Sequence, residues 1–238
     1  MITEYRHELK YLLTNQQLLE IQCALDILMK HDPNIRPDGA YSISSVYFDD
    51  YYHTCLCDNQ EGNTPREKFR IRVYNHSLKR ITLEKKYKVN QMTAKRSCII
   101  SEDEMWKAIY GIPLDVEHTS DRALLQEFAL DQRTKLLKPI VVVDYDRIPY
   151  VSPDGNTRVT LDQSIGGTDD FSDPACLKTI PTCVLPTGYQ LLEVKYDDFL
   201  PDELYNVLNL GHLQNCAFSK FFLCCQAMKG EFYYEYLH

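Results

Sequence analysis

Residues 68–86, KFRIRVYNHSLKRITLEKK, alternate in character along most of their length. Successive side chains of a strand point to opposite faces, so residues i, i+2 and i+4 share one face. Lys68, Arg70, Arg72 and Tyr74 then lie on one side, and Phe69, Ile71 and Val73 on the other. The turn-prone Asn75-His76-Ser77 follows, after which Ile81 and Leu83 oppose Thr82, Glu84 and Lys86. The pattern predicts a β-hairpin with one apolar face and one face crowded with cations and a carboxylate. Lys85 falls on the apolar parity, and its ammonium is expected to snorkel out at an edge.

One such hairpin also reads as a half-buried sheet with its charges in water. Recurrence argues for more. Arg6, Glu8 and Lys10 alternate with His7, Leu9 and Tyr11, and Ser45, Tyr47 and Asp49 with Val46 and Phe48. Arg158, Thr160 and Asp162 alternate with Val159 and Leu161, and Leu191, Glu193 and Lys195 with Leu192, Val194 and Tyr196. Strands of this kind can close so that their charged faces line one interior while helices cover the apolar faces. Such a barrel leaves no sheet edge and can hold a charged ligand. The expected fold class is α+β, an antiparallel β-barrel with helices packed outside.

The 238 residues show no internal repeat, low-complexity segment or domain boundary, and residues 1–238 are read as one domain. A net charge of −8 argues against a general nucleic-acid binder. An acidic body with cations gathered on certain strands would focus positive potential in one cleft. The nine cysteines include no CxxC pair and read as buried or partly buried free thiols in a reducing cytosol, so a cytoplasmic location is expected. The opening MITEYRHELKYLL has no signal-peptide h-region, and no apolar run approaches the length of a membrane span.

Along the chain, residues 4–13 read as a strand and residues 16–30 as a helix capped by Thr14 or Asn15. Leu18, Leu19, Ile21, Cys23, Leu25, Ile27 and Leu28 give that helix a broad apolar face. Residues 41–49 form a strand, and residues 50–59 are ambiguous. After the hairpin come a strand over 93–100 and a short helix opened by the capping box Ser101 to Glu104. A helix from Ser120 or Asp121 to about Leu137 buries Leu124, Leu125, Phe128 and Leu136. Strands over 140–150 and 158–162 flank the turn signal Ser152-Pro153-Asp154-Gly155-Asn156. Residues 163–186, including Gly166-Gly167, read as a long surface excursion. A strand over 189–196 and helices over 202–210 and 218–229 finish the chain.

Lys10, Arg70, Arg72, Lys86, Lys95, Arg147, Arg158, Lys195 and Lys220 are the cations expected at one site. Like charges repel and desolvation is costly, so the gathering makes sense only around a polyanion. Arginine forks suit phosphate oxygens, and lysine adds point charge. The competing reading scatters these charges over the surface. Glu193, set in an apolar strand two residues before Lys195, is the first candidate ligand for a divalent metal, Mg²⁺ or Mn²⁺; Glu8 and Glu84 are the next. A plain Glu–Lys cross-strand pair is the alternative. No Walker A loop, GxGxxG, GxSxG or HExxH is present.

The segments RHELKY (6–11), SSVYFD (44–49), KFRIRVY (68–74), LEKK (83–86), YDR (145–147), RVTLD (158–162), LLEVKY (191–196) and FSK (218–220) resemble, in this order, the polyphosphate polymerase (VTC) domain. That domain belongs to the triphosphate tunnel metalloenzymes, relatives of the CYTH phosphatases. The resemblance spans about residues 4–225. It implies an eight-stranded antiparallel tunnel that binds a nucleotide triphosphate tail and a divalent metal. Lys10, Arg70, Arg72, Lys86, Arg147 and Lys220 match the family's phosphate-binding positions, Lys95 is counted with them, and Glu193 matches the metal ligand. Two departures stand out. Ala217 replaces a basic residue that some members carry three before the lysine of the Ser-Lys pair. Neither the SPX sensor domain nor the membrane segments of the fungal complexes is read in this chain, and a membrane partner stays open.

The resemblance implies metal-dependent transfer of the ATP γ-phosphate to a growing polyphosphate chain. Arg70, Arg72, Lys10 and Lys86, with Arg158 and Lys195, would hold the substrate. Arg147, Lys95 and Lys220 would stabilise the transferred group or guide the acceptor. The cation pattern alone equally fits a tripolyphosphate or nucleoside triphosphate hydrolase and a non-catalytic polyanion-binding module.

Overall fold

A computed structural model describes residues 5–90, 92–116, 119–210 and 213–230. The hairpin forms as β4 (Arg66–Tyr74) and β5 (Ser77–Val89), paired from Arg66 opposite Lys88 to Tyr74 opposite Ser77. Asn75 and His76 both take the left-handed conformation, with φ of 54° and 49°, as a tight two-residue hairpin turn requires.

The other long strands are β1 (Arg6–Thr14), β3 (Tyr41–Asp49), β6 (Met92–Ile100), β7 (Lys138–Val151), β8 (Arg158–Thr168) and β10 (Tyr189–Tyr196). They pair antiparallel in the order β7-β3-β4-β5-β6-β1-β10-β8, and β8 pairs back onto β7. Eight strands therefore close into a barrel. The two-residue strands β2 (Lys30–His31) and β9 (Thr182–Cys183) attach to β7 and β8. Glu4, the first residue of the expected opening strand, lies outside the described residues.

The hydrophobic core sits outside the barrel wall. Phe69, Ile71, Val73, Ile81 and Leu83 pack under α3 (Glu102–Tyr110) and α4 (Ala123–Thr134), against Met105 and Phe128. Leu13, Tyr150, Val159, Leu161, Leu192 and Val194 pack under α1 (Asn15–Leu28) and α5 (Asp202–Leu210). Val141, Val143 and Ile165 pack under α6 (Lys220–Met228), with α2 (Thr54–Glu61) beside it. At about 1.5–3 kcal/mol for each large apolar side chain, this outer burial opposes the cost of a charged interior. The expected caps form: Thr14 with Gln17, and Ser101 with Glu104, each make a reciprocal capping box.

Several expectations are corrected. Lys85 does not snorkel: it is 3% exposed, because Glu127 of α4 lies over it at 2.7 Å and Glu67 reaches it at 2.5 Å. Helix α1 buries only Leu18, Ile21 and Leu25, the spacing that meets one wall, while Leu19, Cys23, Ile27 and Leu28 face out. Leu136 lies past the end of α4 with φ 57° and is exposed. Residues 163–168 are not a surface excursion but the second half of β8, which completes the closure onto β7. Ala175 and Cys176 then return into the core. A Cβ on Gly167 would stand 2.7 Å from Cys224 Cβ, so this glycine lets α6 press against the wall. All nine cysteines are free thiols, but Cys23, Cys57 and Cys183 are exposed instead of buried or partly buried. Among the described residues, no helix is long and apolar enough to cross a membrane.

Candidate functional site: a cationic tunnel

The parity that buries apolar side chains outside must turn the charged ones inward. Arg70, Arg72, Lys86, Lys10, Lys95, Arg147, Arg158 and Lys195 come from seven strands, and α6 adds Lys220 from its N-terminus, where Ser219 caps the helix. They line one cavity of about 300 Å³. Eleven of the chain's 26 Lys and Arg residues line it, against two of its 34 Asp and Glu. Every cation expected at the site is there, and so are Glu8 and Glu193; Glu84 stands in the wall, bound to Arg70 and Lys95.

Buried carboxylates hold the cations in groups. Arg70 donates to Glu84 Oε2 at 2.7 Å through Nε, and Lys95 Nζ donates to Oε1 at 2.6 Å. Lys86 lies 2.8 Å and Lys10 3.0 Å from Glu8, which also accepts from Thr93. Glu193 accepts from Lys220 at 2.8 Å and from Arg147 at 3.2 Å, with Lys195 at 3.5 Å and Lys10 at 3.8 Å. Burial alone would raise all three carboxyls. The surrounding cations win and hold Glu193, Glu84 and Glu8 below the usual carboxylate range. Burial wins for Lys86, whose pKa falls to about 8.

Site residues absent from the expected set include Arg6, which lines the cavity and pairs with Asp197 at 2.7 Å, and four more that organise it. Asp162 is wholly buried, receives both arms of Arg147 at 2.6 Å each, and lies 2.6 Å from Lys220. Its inward parity was visible in RVTLD, but not its place opposite Arg147. Tyr145 lies under Lys220 and Arg147, 4.8 and 5.2 Å from its ring centre. Tyr47 accepts from Arg70 at 2.9 Å; burial would raise its phenol, but Arg70, Lys68 and Arg72 bring it down to about 7. Lys68, on the same parity as Arg70, places its ammonium 4.6 Å from the Phe221 ring centre.

For a divalent metal, the donor set is sparse. Among the described residues no three His, Cys, Asp or Glu side chains come together to hold an ion by themselves. Glu193 and Glu8 lie on the adjacent strands β10 and β1, with Lys10 reaching both. Thr160, opposite Glu193 and on the inward parity of β8, has a buried hydroxyl without a hydrogen-bond partner among the described residues. Mg²⁺ and Mn²⁺ are commonly bound by one or two carboxylates together with phosphate oxygens. These residues fit an ion that arrives with a phosphate, not a preformed all-protein cage.

The central cavity shares walls with two others. One of about 480 Å³ shares Glu8, Lys10, Lys68, Lys86 and Ser219 and continues to Arg66 and Lys88. One of about 640 Å³ shares Tyr41, Tyr74, Lys95 and Arg158 and continues to Lys79 and Arg80. The charged interior thus runs from one mouth of the barrel to the other. Repulsion among its cations is a liability that a bound polyanion relieves. At one hundred times its Kd, tripolyphosphate is expected to add about 2.7 kcal/mol of stability. Its effect on the melting temperature should far exceed that of sulfate at matched ionic strength; equal shifts would reduce the lining to ordinary surface charge.

No curated protein matches the chain. Among solved structures, a proposed adenylate cyclase from Bacillus halodurans superposes with a TM-score of 0.52 and 12% identity, covering 90% of this chain and 93% of that one. A second proposed adenylate cyclase, from Vibrio parahaemolyticus, gives 0.50 and 12%, covering 92% and 97%. The PH1012 protein from Pyrococcus horikoshii gives 0.50 and 13%, covering 92% and 98%. At these identities the likeness establishes the fold, the antiparallel triphosphate tunnel barrel. The family model of the VTC domain matches residues 5–229, almost the whole described chain, and the protein therefore belongs to the VTC domain family.

Proposed function

We propose that the protein is a polyphosphate polymerase that transfers the γ-phosphate of ATP to the end of a polyphosphate chain and releases ADP. The single observation that carries this reading is an interior lined by eleven cations and continuous between two mouths, in a chain of the VTC domain family. A substrate phosphate entering such a tunnel meets eleven lining cations against two lining carboxylates, and a linear product has a way out. In the reaction, an oxygen of the chain's terminal phosphate forms a bond to the γ-phosphorus as the bond to the β–γ bridging oxygen breaks. The electron pair leaves on ADP. Positioning and charge neutralisation are most of what phosphoryl transfer asks of a protein.

Arg70 and Arg72 on β4 would grip the triphosphate, with Lys86 on the neighbouring β5, Lys10 on β1, and Arg158 and Lys195 on β8 and β10. Arg147, Lys95 and Lys220 would meet the transferred group, the first and last held in place by Asp162. Glu193, supported by Glu8, would hold the divalent metal. When bound, Mg²⁺ or Mn²⁺ supplies charge neutralisation at the phosphate oxygens.

The deciding measurement follows ADP, free phosphate and long-chain polyphosphate together, with ATP and either metal. ADP is expected to rise with a polymer ladder and little free phosphate. Free phosphate equal to ADP without polymer, with both metals and a short polyphosphate primer supplied, would replace the polymerase with a hydrolase. No turnover despite a thermal shift would leave a binding module.

A further inference from the structure

Ten of the eleven cations lining the central cavity have a carboxylate oxygen within 3.8 Å. Lys68 is the exception among the described residues. Its ammonium rests over the Phe221 ring at 4.6 Å and near the Tyr47 ring at 5.6 Å. Aromatic faces stabilise the charge without neutralising it. Burial first, then Lys86, Lys10 and Arg66, outweigh Tyr47 and lower its pKa to about 8.

Its neighbours on the same face are alike. Arg66 donates to the backbone carbonyl of Asp58 at 3.1 Å, and among the described residues no carboxylate pairs with its guanidinium. Lys88, opposite Arg66 in the hairpin register, has no ion pair among the described residues either. These three cations line the mouth cavity of about 480 Å³, next to the amides of Asn63, Asn90 and Asn215. At the other mouth Arg158 is already matched by Asp32 at 2.9 Å. Lys79 and Arg80 at that mouth likewise have no ion pair among the described residues, but both are exposed, whereas Arg66, Lys68 and Lys88 are half-buried. The half-buried unpaired cations therefore lie on the Arg66 side of the tunnel.

Strand β4 makes this side continuous with the centre. Arg66, Lys68, Arg70 and Arg72 project inward at alternate positions, a row of roughly 20 Å at about 3.4 Å per residue. A nucleoside triphosphate gripped at Arg70 and Arg72 ends its anionic portion there. A linear polyphosphate carries charge on every unit and can follow the whole row.

We propose that Arg66, Lys68 and Lys88 form a second anion subsite, which holds the polyphosphate chain beyond the phosphate being transferred and makes this mouth the polymer's side of the tunnel. The assignment rests on the polymerase reading above. It differs from the general cation lining in discriminating a long chain from a short one.

The test compares metal-free binding of tripolyphosphate and of a longer linear polyphosphate of defined length, by calorimetry on the full chain. In the triple variant Arg66→Gln, Lys68→Gln, Lys88→Gln, affinity for the long chain should fall at least about tenfold, while tripolyphosphate changes by less than about threefold. The single variant Lys88→Gln, at the outer edge, should move the long-chain affinity in the same direction. Removing mutually repelling cations should not lower the melting temperature, which checks folding. Equal losses for both ligands, or an unchanged long-chain affinity, overturn the subsite. If the wild-type protein makes polymer and the losses are equal, the subsite alone fails. If it makes none but the selective loss appears, the polymerase reading fails and the polyanion subsite stands.

Discussion

Asp162→Asn should cost about 3–5 kcal/mol of folding stability, the range for breaking a buried ion pair by removing one partner. Asp162 is fully buried and meets Arg147 through both arms of the fork and Lys220 at 2.6 Å. Without it, those two cations share, among the described residues, only Glu193. Burial would raise the Asp162 carboxyl, but Arg147 and Lys220 hold it below the ordinary range. A depressed folded-state pKa means stabilisation that is complete above the unfolded value of about 3.9 and is lost as pH falls through the folded value. The gap between wild type and variant should therefore close in acid. Urea denaturation near neutral pH and again below about pH 4 measures it. Tripolyphosphate should recover part of the loss, because phosphate oxygens can take the place of the missing carboxylate. A loss under about 1 kcal/mol at neutral pH, within the range of exposed ion pairs, would mean that water screens the cluster.

The alternation along single strands was legible because it is a local property of extended backbone. KFRIRVY, LEKK and LLEVKY turn Lys68, Arg70, Arg72, Lys86, Glu193 and Lys195 to the lumen, as their parity requires. What lay beyond reach was set by register and closure. Asp162 carried the right parity, yet only the β7–β8 pairing places it opposite Arg147. Lys85 reads as an edge residue until α4, more than thirty residues later, brings Glu127 over it. The pair Gly166-Gly167 looks like loop in sequence. In the barrel it is the part of β8 that admits Pro181 and Cys224 at close range. The approach of α6 sets Lys220 on the lumen, so an apparently irregular stretch governs the position of a proposed catalytic group. The aromatic contacts of Lys68 and Tyr47 with Phe221 likewise depend on that docking.

Glu193→Gln should abolish metal-dependent turnover while leaving metal-free tripolyphosphate binding intact or tighter. The two effects have one cause. Glu193 sits among Lys220, Arg147, Lys195 and Lys10, all within 3.8 Å, and it is the proposed metal ligand with the most cations around it. Glutamine keeps the shape and removes the charge. Cations that were partly neutralised by the carboxylate then face the lumen with more of their field available to phosphate. A divalent ion loses the ligand proposed to seat it. Arg72→Ala should behave in the opposite way, because Arg72 lines the cavity, is held by neutral hydroxyls (Nε to Ser45 at 3.0 Å and a terminal nitrogen to Tyr145 at 3.4 Å), and has Glu84 no nearer than 3.8 Å. Its loss should weaken tripolyphosphate binding by about 1.5–3 kcal/mol with or without metal, the range for a charge-assisted contact. Calorimetry with tripolyphosphate in chelator and in excess Mn²⁺, run beside turnover assays on both variants, separates the cases. Full turnover in Glu193→Gln would remove this residue from metal binding and shift the role to Glu8. A fall in metal-free affinity would instead make Glu193 an organiser of the phosphate site, since losing a negative charge can weaken anion binding only if the cations around it lose their positions.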